Sequence, residues 1–510
     1  MTPATDAPRR GTPGPRYLYA LSFCAGMSIM AVELSASRLV APVFGTSTYV
    51  WTNIIGVIMI ALSIGYVVGG RLADRRDGLA PLLKLLLGAC GWLLALPFAG
   101  VPLLRALAGA LTGLQSSFSF VFVGSLVGIL LLFAPPIVLL GMTSPFLVRA
   151  LARQGEVGAA AGRVFAVSTV GSVLGTFLPV LVFIPTIGTA RTILVFAGLL
   201  AVVAALGLRP RGAVVAGALL AGALALPAPA GRSTPGHVWS GDSAYQYIEV
   251  YDQGPMRYLA YNDALGVQTA VNRAGPLTGL YYDYYALLPM LLDHPARGAL
   301  ILGLGGGVIA SQYAYFQPDV QVDGVEIDPT VIRLARDYFG LGPATRTHDQ
   351  DGRVFAARAG RTYDVVIVDA YTQQIYVPFH MATKEFFGQV RGCLGAGGLV
   401  AMNVSAARDD APLLTHICAS LQAVFPHVYR MRVPASNDYI VLASPRALAF
   451  TLPAGTYGEV MGPLAAQVNQ GFREVPPLPG VRPLTDDWAP VEHMVDWELL
   501  ARRVRPGAAS

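Results

Sequence analysis

The chain has 510 residues, 54% of them hydrophobic and only 13% charged, with a net charge of +5. That balance excludes a disordered chain, and at roughly 150 residues per domain the length provides for about three domains. Residues 17–230 hold 12 Lys/Arg and 4 Asp/Glu, whereas 231–510 hold 21 and 26. The basic excess thus belongs to the apolar half, and the mildly acidic second half lacks the clustered basic face that a nucleic-acid partner requires.

An N-terminal arm (1–16) with Arg9, Arg10 and Arg16 leads into a multi-pass α-helical membrane domain over 17–230. A helix needs about 20 mostly apolar residues to cross the hydrocarbon layer, since its backbone polar groups must be satisfied internally. Seven stretches qualify: 17–41, 50–70, 80–104, 118–141, 164–187, 192–208 and the Ala/Gly-rich 212–228. The lipid bilayer is therefore an expected partner and the cell membrane the expected location. Arg71, Arg75, Arg76 and Lys84 in one loop, and Arg149, Arg153 and Arg163 in another, put the N-terminus in the cytoplasm. An odd number of spans then carries the second half outside, while the supply of a nucleotide-like cofactor favours the cytoplasm. The conflict is relieved if 212–228 does not span or if 80–115 holds a further crossing; otherwise the second half faces outward. Glu33 is the one acid within a span and pairs with a neighbouring helix or serves function.

After the linker "PAPAGRSTPG", residues 231–280 read as a small β-meander built from "YQYIEVYD", "MRYLAYND" and "VQTAV". Residues 281–510 read as a Rossmann-like α/β domain of the class I methyltransferase type. A helix over 281–292 precedes "ALILGLGGGVIAS", a buried strand running into a glycine-rich turn and a helix. The strand "VQVDGVEID", the helix "PTVIRLARDYFG", the strand "YDVVIVDA", a helix from Lys384, the turn "GAGG" and the strand "LVAMNV" follow. This alternation implies a doubly wound parallel sheet.

Ligands of such sheets sit beyond the carboxyl ends of the strands. Gly303, Gly305 and Gly307 let the backbone approach a bound group, and Glu326, at the end of the second strand, can accept hydrogen bonds from ribose hydroxyls. A dinucleotide fingerprint needs a glycine where Val308 stands, so an S-adenosyl compound fits better. Asp351-Gly352 and Asp369 close the third and fourth strands, where an adenine amino group and the reacting centre would lie; each acid also suits a helix N-cap or turn. Cys24, Cys90, Cys393 and Cys418 have no metal-ligand spacing and read as buried thiols, and no metal is expected.

Between Tyr245 and Val404 these residues resemble the spermidine synthase family of polyamine aminopropyltransferases, and "LTDDWAPVEHMV" resembles its membrane-fused branch. The resemblance implies a β-domain ahead of a Rossmann-like domain, decarboxylated S-adenosylmethionine as co-substrate, a small polyamine partner and a homodimer. Residue by residue it implies that Gln246 contacts the nucleoside product, Glu326 the ribose and Asp351-Gly352 the adenine. Asp369 takes the place of the catalytic acid and Tyr282 that of the tyrosine in a Tyr-His-Glu motif; with Asp283 and Tyr371 it forms the candidate amine-binding set. Gly306 stands where the family carries the acid that holds the aminopropyl ammonium, and Thr372 where it carries a second acid near the catalytic one. The implied reaction is aminopropyl transfer to an amine such as putrescine, giving spermidine and methylthioadenosine. The alternatives are a methyltransferase using S-adenosylmethionine, favoured by Gly306, and a non-catalytic transporter or sensor that binds a polyamine or nucleoside. His380 reads first as a loop residue and second as part of a lid. Asp486, Asp487 and Glu492 read first as exposed tail charges and second as substitutes for the missing acids.

Overall fold

The computed structural model describes residues 14–45, 48–76, 78–111, 117–153, 156–225, 234–261, 266–371, 376–453 and 458–495. The chain forms two compact units, one of residues 1–114, 119–232 and 241–247, the other of 115–118, 233–240 and 248–510.

Among the described residues of the first unit, five helices are long and apolar enough to cross a membrane: Pro15–Phe44, Thr48–Arg75, Ala80–Ala110, Ala134–Ala152 and Val157–Leu208. The last is 52 residues long and contains Gly188 at φ 82°, ψ 166°, so the backbone breaks where the sequence separates its fifth and sixth stretches. The fourth stretch is divided between helices Ser117–Leu132 and Ala134–Gly141, and the latter continues into Thr143–Ala152. Arg149 therefore lies within a helix rather than a loop. The apolar stretch at 212–228 forms the short helix Pro210–Ala225.

Small residues let two of these helices approach closely. A Cβ on Gly171 or Gly175 would stand 2.1 Å from the carbonyl oxygen of Phe23 or Met27, respectively, so only glycine fits at this four-residue spacing. Large apolar side chains also point outward, among them Met59, Ile60, Val67, Phe165, Phe177 and Leu181, each more than half exposed.

The second unit begins with a sheet in the order β1-β2-β3-β4, formed by His237–Asp242, Tyr247–Gln253, Met256–Tyr261 and Gly266–Asn272. The β2/β3 and β3/β4 pairs are antiparallel. Alternation along these strands buries Ile248, Val250, Leu259 and Tyr261 against Val331, Leu334 and Phe339. The helix that supplies this face, Pro329–Tyr338, begins as its sequence dictates: the Asp328 side chain accepts from Thr330 N at 2.9 Å, and proline occupies the first turn.

The main sheet has eight strands: β5 (Gly298–Leu302), β6 (Gln321–Glu326), β7 (Arg346–Asp349), β8 (Tyr363–Val368), β9 (Leu394–Ser405), β10 (His427–Arg432), β11 (Asp438–Ser444) and β12 (Arg473–Glu474). Their order is β12-β10-β11-β9-β8-β5-β6-β7. Pairings from β7 through β9 are parallel, whereas β11 and β10 are antiparallel additions. All five residues of β5 are buried, as expected for a strand covered on both faces. The chain leaves β5 toward β6 and β7, then returns to the other side of β5 as β8. That reversal opens the ligand crevice of this fold class at the carboxyl ends of β5 and β8.

Two local expectations are corrected. The helix expected over 281–292 is two short turns, Tyr282–Tyr285 and Leu288–Leu291, with Pro289 in the second. The "GAGG" segment is no connecting turn: it lies inside β9, where the register with β8 shifts and Gly397 takes φ 87°. The four cysteines are buried and free, and burial pushes the Cys393 and Cys418 thiols up to about 11 and about 12.

Candidate active site

The glycine loop after β5 has the backbone that only glycine tolerates: Gly303, Gly305 and Gly307 have φ of 94°, 52° and 79°. A Cβ on Gly303 would lie 2.4 Å from the carbonyl oxygen of Asp369, so this glycine also permits the close passage of the two central strand ends. Gly307 then caps the helix Val308–Phe316.

Glu326, at the tip of β6, accepts from Gly305 N at 3.0 Å through one oxygen and from Asp328 N at 3.2 Å through the other. Burial pushes its carboxyl up to about 7, against the lowering effect of these backbone donors. Each oxygen retains a further lone pair for a hydroxyl donor.

Asp351 is the N-cap of helix Gly352–Arg358, accepting from Val354 N at 2.9 Å, and its other oxygen lies 3.5 Å from His380 Nε2. The capping role weighed from sequence is thus realised and accompanied by a contact with the His380 ring. Gly352 leaves room for the Met381 methyl, which would stand 3.0 Å from an added Cβ. Gln246 belongs to the segment grouped with the first unit; its carbonyl accepts from Ser243 N at 2.8 Å.

Asp369 follows β8, its backbone nitrogen still bonded to Leu302 O at 2.9 Å. The Tyr281 hydroxyl donates to both of its carboxylate oxygens, at 3.0 and 2.9 Å. Burial pushes this carboxyl up to about 7; the Tyr281 hydrogen bond opposes the rise and the nearby Asp438 carboxylate adds to it. The Tyr281 hydroxyl is itself held well above its usual range by burial and then by Asp369, so it remains a donor.

The amine-binding set is changed by the geometry. Tyr281, not Tyr282, reaches Asp369; the Tyr282 hydroxyl donates to Gln268 O at 3.3 Å, although its ring packs on Tyr281 at a centroid distance of 4.1 Å. Asp283 is committed elsewhere: it accepts from Thr278 N and Oγ1, Gly279 N and Gln312 Nε2, so it organises the preceding turn instead of offering a free edge to an amine. Tyr371 stays in the cluster, donating to Asn403 O at 2.7 Å. Thr372 lies outside the described residues. Of the tail acids, Asp486 is committed to a different partner. Both Asp486 oxygens bond Arg353 at 2.7 Å, one also accepts from Thr383 Oγ1, and the arginine holds this carboxyl below the usual range.

The structure also explains Gly306. Its N–H donates to Thr269 Oγ1 at 2.8 Å, and an added Cβ would lie 2.5 Å from Thr269 Cγ2 and 3.1 Å from the Phe339 ring. The place beside the loop that an acidic side chain would leave through is filled by a threonine of β4. Tyr281, Thr269 and Asp438 escaped the sequence reading. Tyr281 and Tyr285, four apart in "YYDYY", were available as one helical face, whereas nothing local in "SNDYIVLAS" ties Asp438 to Asp369.

The spermine/spermidine synthase domain model matches residues 280–441. A polyamine aminopropyltransferase of Vibrio vulnificus is 30% identical over 276 residues, which are 51% of this chain and 88% of that protein. The chain belongs to the spermine/spermidine synthase family. A probable polyamine aminopropyl transferase of Bifidobacterium longum is 32% identical over 292 residues, covering 52% of this chain and 65% of that protein. Spermidine synthase from Thermotoga maritima, known from a crystal structure, aligns with 41% of this chain and 73% of its own at 21% identity and a TM-score of 0.36.

Proposed function

We propose that this chain is a membrane-anchored aminopropyltransferase, with a membrane domain over 17–230, a small β-domain over 231–280 and a catalytic domain over 281–510. It transfers the aminopropyl group of decarboxylated S-adenosylmethionine to an amine; with putrescine the products are spermidine and methylthioadenosine. The observation that carries this reading is Asp369, held by Tyr281 at the switch point of the sheet beside the glycine loop.

An alkylamine resembles Lys, with a pKa near 10.4, so at pH 7 only about one molecule in a few thousand has a free lone pair. Asp369, poised at about 7, binds the ammonium and accepts its proton. The nitrogen lone pair then forms the new C–N bond as the C–S bond breaks, and the departing electron pair neutralises the sulfonium. Glu326 receives the ribose hydroxyls, Gly303, Gly305 and Gly307 line the nucleoside, and the Asp351-Gly352 turn borders the adenine. Positioning supplies much of the acceleration, because the sulfonium is already an activated electrophile.

The membrane reading is supported by the long apolar helices and their outward Met59, Ile60, Val67, Phe177 and Leu181 side chains, a pattern expensive in water. The test of the reaction is to incubate purified full-length protein with putrescine and either decarboxylated or intact S-adenosylmethionine and to weigh the products. Spermidine and methylthioadenosine from the decarboxylated compound alone support the reading; a methylated amine, or no consumption of either, overturns it. Retention in membranes after alkaline carbonate washing tests the anchor, cleavage of the 229–240 linker from one side tests orientation, and sizing in detergent tests the homodimer implied by the family.

A further inference from the structure

We propose that Asp486 is a positioning residue for the nucleoside: through Arg353 it sets where the Asp351-Gly352 turn and the segment Phe379–Met381 stand beside the adenine. This rests on the reading above that the turn borders the adenine. It also gives a use to "LTDDW", a motif with no part in the transfer chemistry.

Arg353 directly follows that turn, as the second residue of helix Gly352–Arg358, and its guanidinium joins three segments remote in sequence. Nη1 donates to Asp486 Oδ1 at 2.7 Å and to the His380 carbonyl at 2.9 Å, Nη2 donates to Asp486 Oδ2 at 2.7 Å, and Nε donates to Gln389 Oε1 at 3.1 Å. A two-pronged pair fixes direction as well as distance, which a single contact does not. The carboxylate is itself held in place. Asp486 Oδ1 also accepts from Thr383 Oγ1 at 2.8 Å, and the Asp486 N–H donates to Glu385 Oε2 at 3.2 Å. Just ahead of it, Leu484 O accepts from Lys384 N at 2.9 Å and Leu484 N donates to Ser420 Oγ at 2.8 Å; just after it, the chain closes on itself between Thr485 and Trp488. Leu484 and Thr383 are both 0% exposed, so the tail grips through buried residues.

The helix held in this way has little else to place it. Seven residues are too few for a helix to persist without tertiary contacts, and among the described residues of this one only Ala356 is buried, while Val354 is 44% exposed. The turn and the 379–381 segment also meet each other: Asp351 Oδ2 lies 3.5 Å from His380 Nε2, and an added Cβ on Gly352 would stand 3.0 Å from the Met381 methyl. Both therefore follow Arg353. Useful hydrogen-bond distances span only about 2.7–3.2 Å, so a displacement of ~1 Å removes an amino group from the reach of Asp351. The Arg353 and Asp486 side chains are 18% and 45% exposed, and such a pair contributes little to global stability. Its consequence is local geometry at the adenine end, away from Asp369 and the amine.

The test measures equilibrium binding of two nucleosides to the full-length protein: methylthioadenosine, and 5′-methylthioinosine, in which a carbonyl replaces the adenine amino group. Wild type is expected to prefer methylthioadenosine. Asp486→Ala is expected to weaken methylthioadenosine by about tenfold and methylthioinosine by no more than about twofold, with KM for the amine as in wild type. Arg353→Lys, which keeps the charge and loses the two-pronged pair, is expected to share this selective loss, and Asp486→Glu to recover most of it. Because Asp486 acts through the turn, Asp351→Asn should weaken methylthioadenosine about as far alone as in combination with Asp486→Ala. Arg482→Ala, which removes the cation stacked on Trp488 and leaves the Arg353 pair intact, is expected to bind both nucleosides as wild type does. Equal losses for both nucleosides in Asp486→Ala, additive losses with Asp351→Asn, or the same selective loss in Arg482→Ala overturns the inference. A wild type that binds both nucleosides equally overturns the placement of adenine at this turn, whereas a wild-type preference that survives intact in Asp486→Ala overturns the positioning by Asp486 alone.

Discussion

Replacing Tyr281 with phenylalanine tests the central element of the site, because it removes one hydroxyl and leaves the ring that packs on Tyr282 and Tyr285. That hydroxyl is the hydrogen-bond donor to the Asp369 carboxylate, and it lowers a pKa that burial and Asp438 both raise. A hydrogen bond to a charged group contributes about 1.5–3 kcal/mol, and 1.36 kcal/mol corresponds to a tenfold change in the ionisation constant. Asp369 should therefore move from about 7 to roughly 8–9 in the variant. At pH 7 the ionised fraction falls from about half to a few per cent, so kcat/KM drops by about tenfold. Raising the pH to ~9.5 restores most of it, which a misfolded or misassembled site would not do. The measurement is the ratio of wild-type to variant kcat/KM across pH, in which the amine's own ionisation cancels. A ratio that stays flat with pH, or a midpoint that moves downward, refutes the role of Tyr281 as the donor that keeps Asp369 ionised.

Glu326, also at about 7, must be ionised to accept two ribose hydroxyls, so methylthioadenosine binding should tighten as the pH rises through that value. Glu326→Gln should abolish this dependence and weaken binding by about 10- to 100-fold, as isothermal titration would measure. Gly306→Asp alone should lower the melting temperature, since its Cβ would meet Thr269 at 2.5 Å; the overpacking should cost roughly 1–3 kcal/mol. Combined with Thr269→Ala, the same aspartate should recover stability and raise affinity for decarboxylated S-adenosylmethionine over the intact compound. Asp486→Ala should leave KM for the amine unchanged, and its exposed pair with Arg353 should contribute no more than about 1 kcal/mol to thermal stability.

The parallel core was legible because each of its elements is encoded locally. The buried run "GALIL", the positive-φ glycines after it, the Asp-Pro start of Pro329–Tyr338 and the acids closing β6 and β8 all announce themselves within a few residues. The contacts that give those acids their chemistry are not local. Tyr281 meets Asp369 across 88 residues, and Gly306 meets Thr269 across 37, so both depend on how β4 and the turn after it settle on the glycine loop. Asp283 illustrates the opposite error: an acid beside a tyrosine motif looks available until four donors from its own neighbourhood are found around it. In the apolar half, composition gave the stretches but not their breaks, because Gly188 interrupts a helix that hydropathy alone reads only as a dip.

The glycine at 306 and the acid at the start of β11 have a common physical logic. A site that handles a cationic nucleoside and a cationic amine needs negative charge, but carboxylates crowded into one buried volume raise one another's pKa and tend to protonate. Asp369 already stands at about 7 with only Asp438 among the acids acting on it. A further carboxylate at position 306, next to the crossing of the central strands, would push Asp369 still higher and reduce the fraction able to take the ammonium proton at neutral pH. Thr269 occupies that ground with a neutral hydroxyl that bonds the loop, and the second carboxylate, Asp438, stands two strands away at the start of β11. On this argument, restoring aspartate at 306 in the Thr269→Ala background should carry a kinetic cost that stability measurements miss. The midpoint of the kcat/KM profile should move upward from about 7, and an unchanged midpoint would mean that the two positions do not share one electrostatic environment.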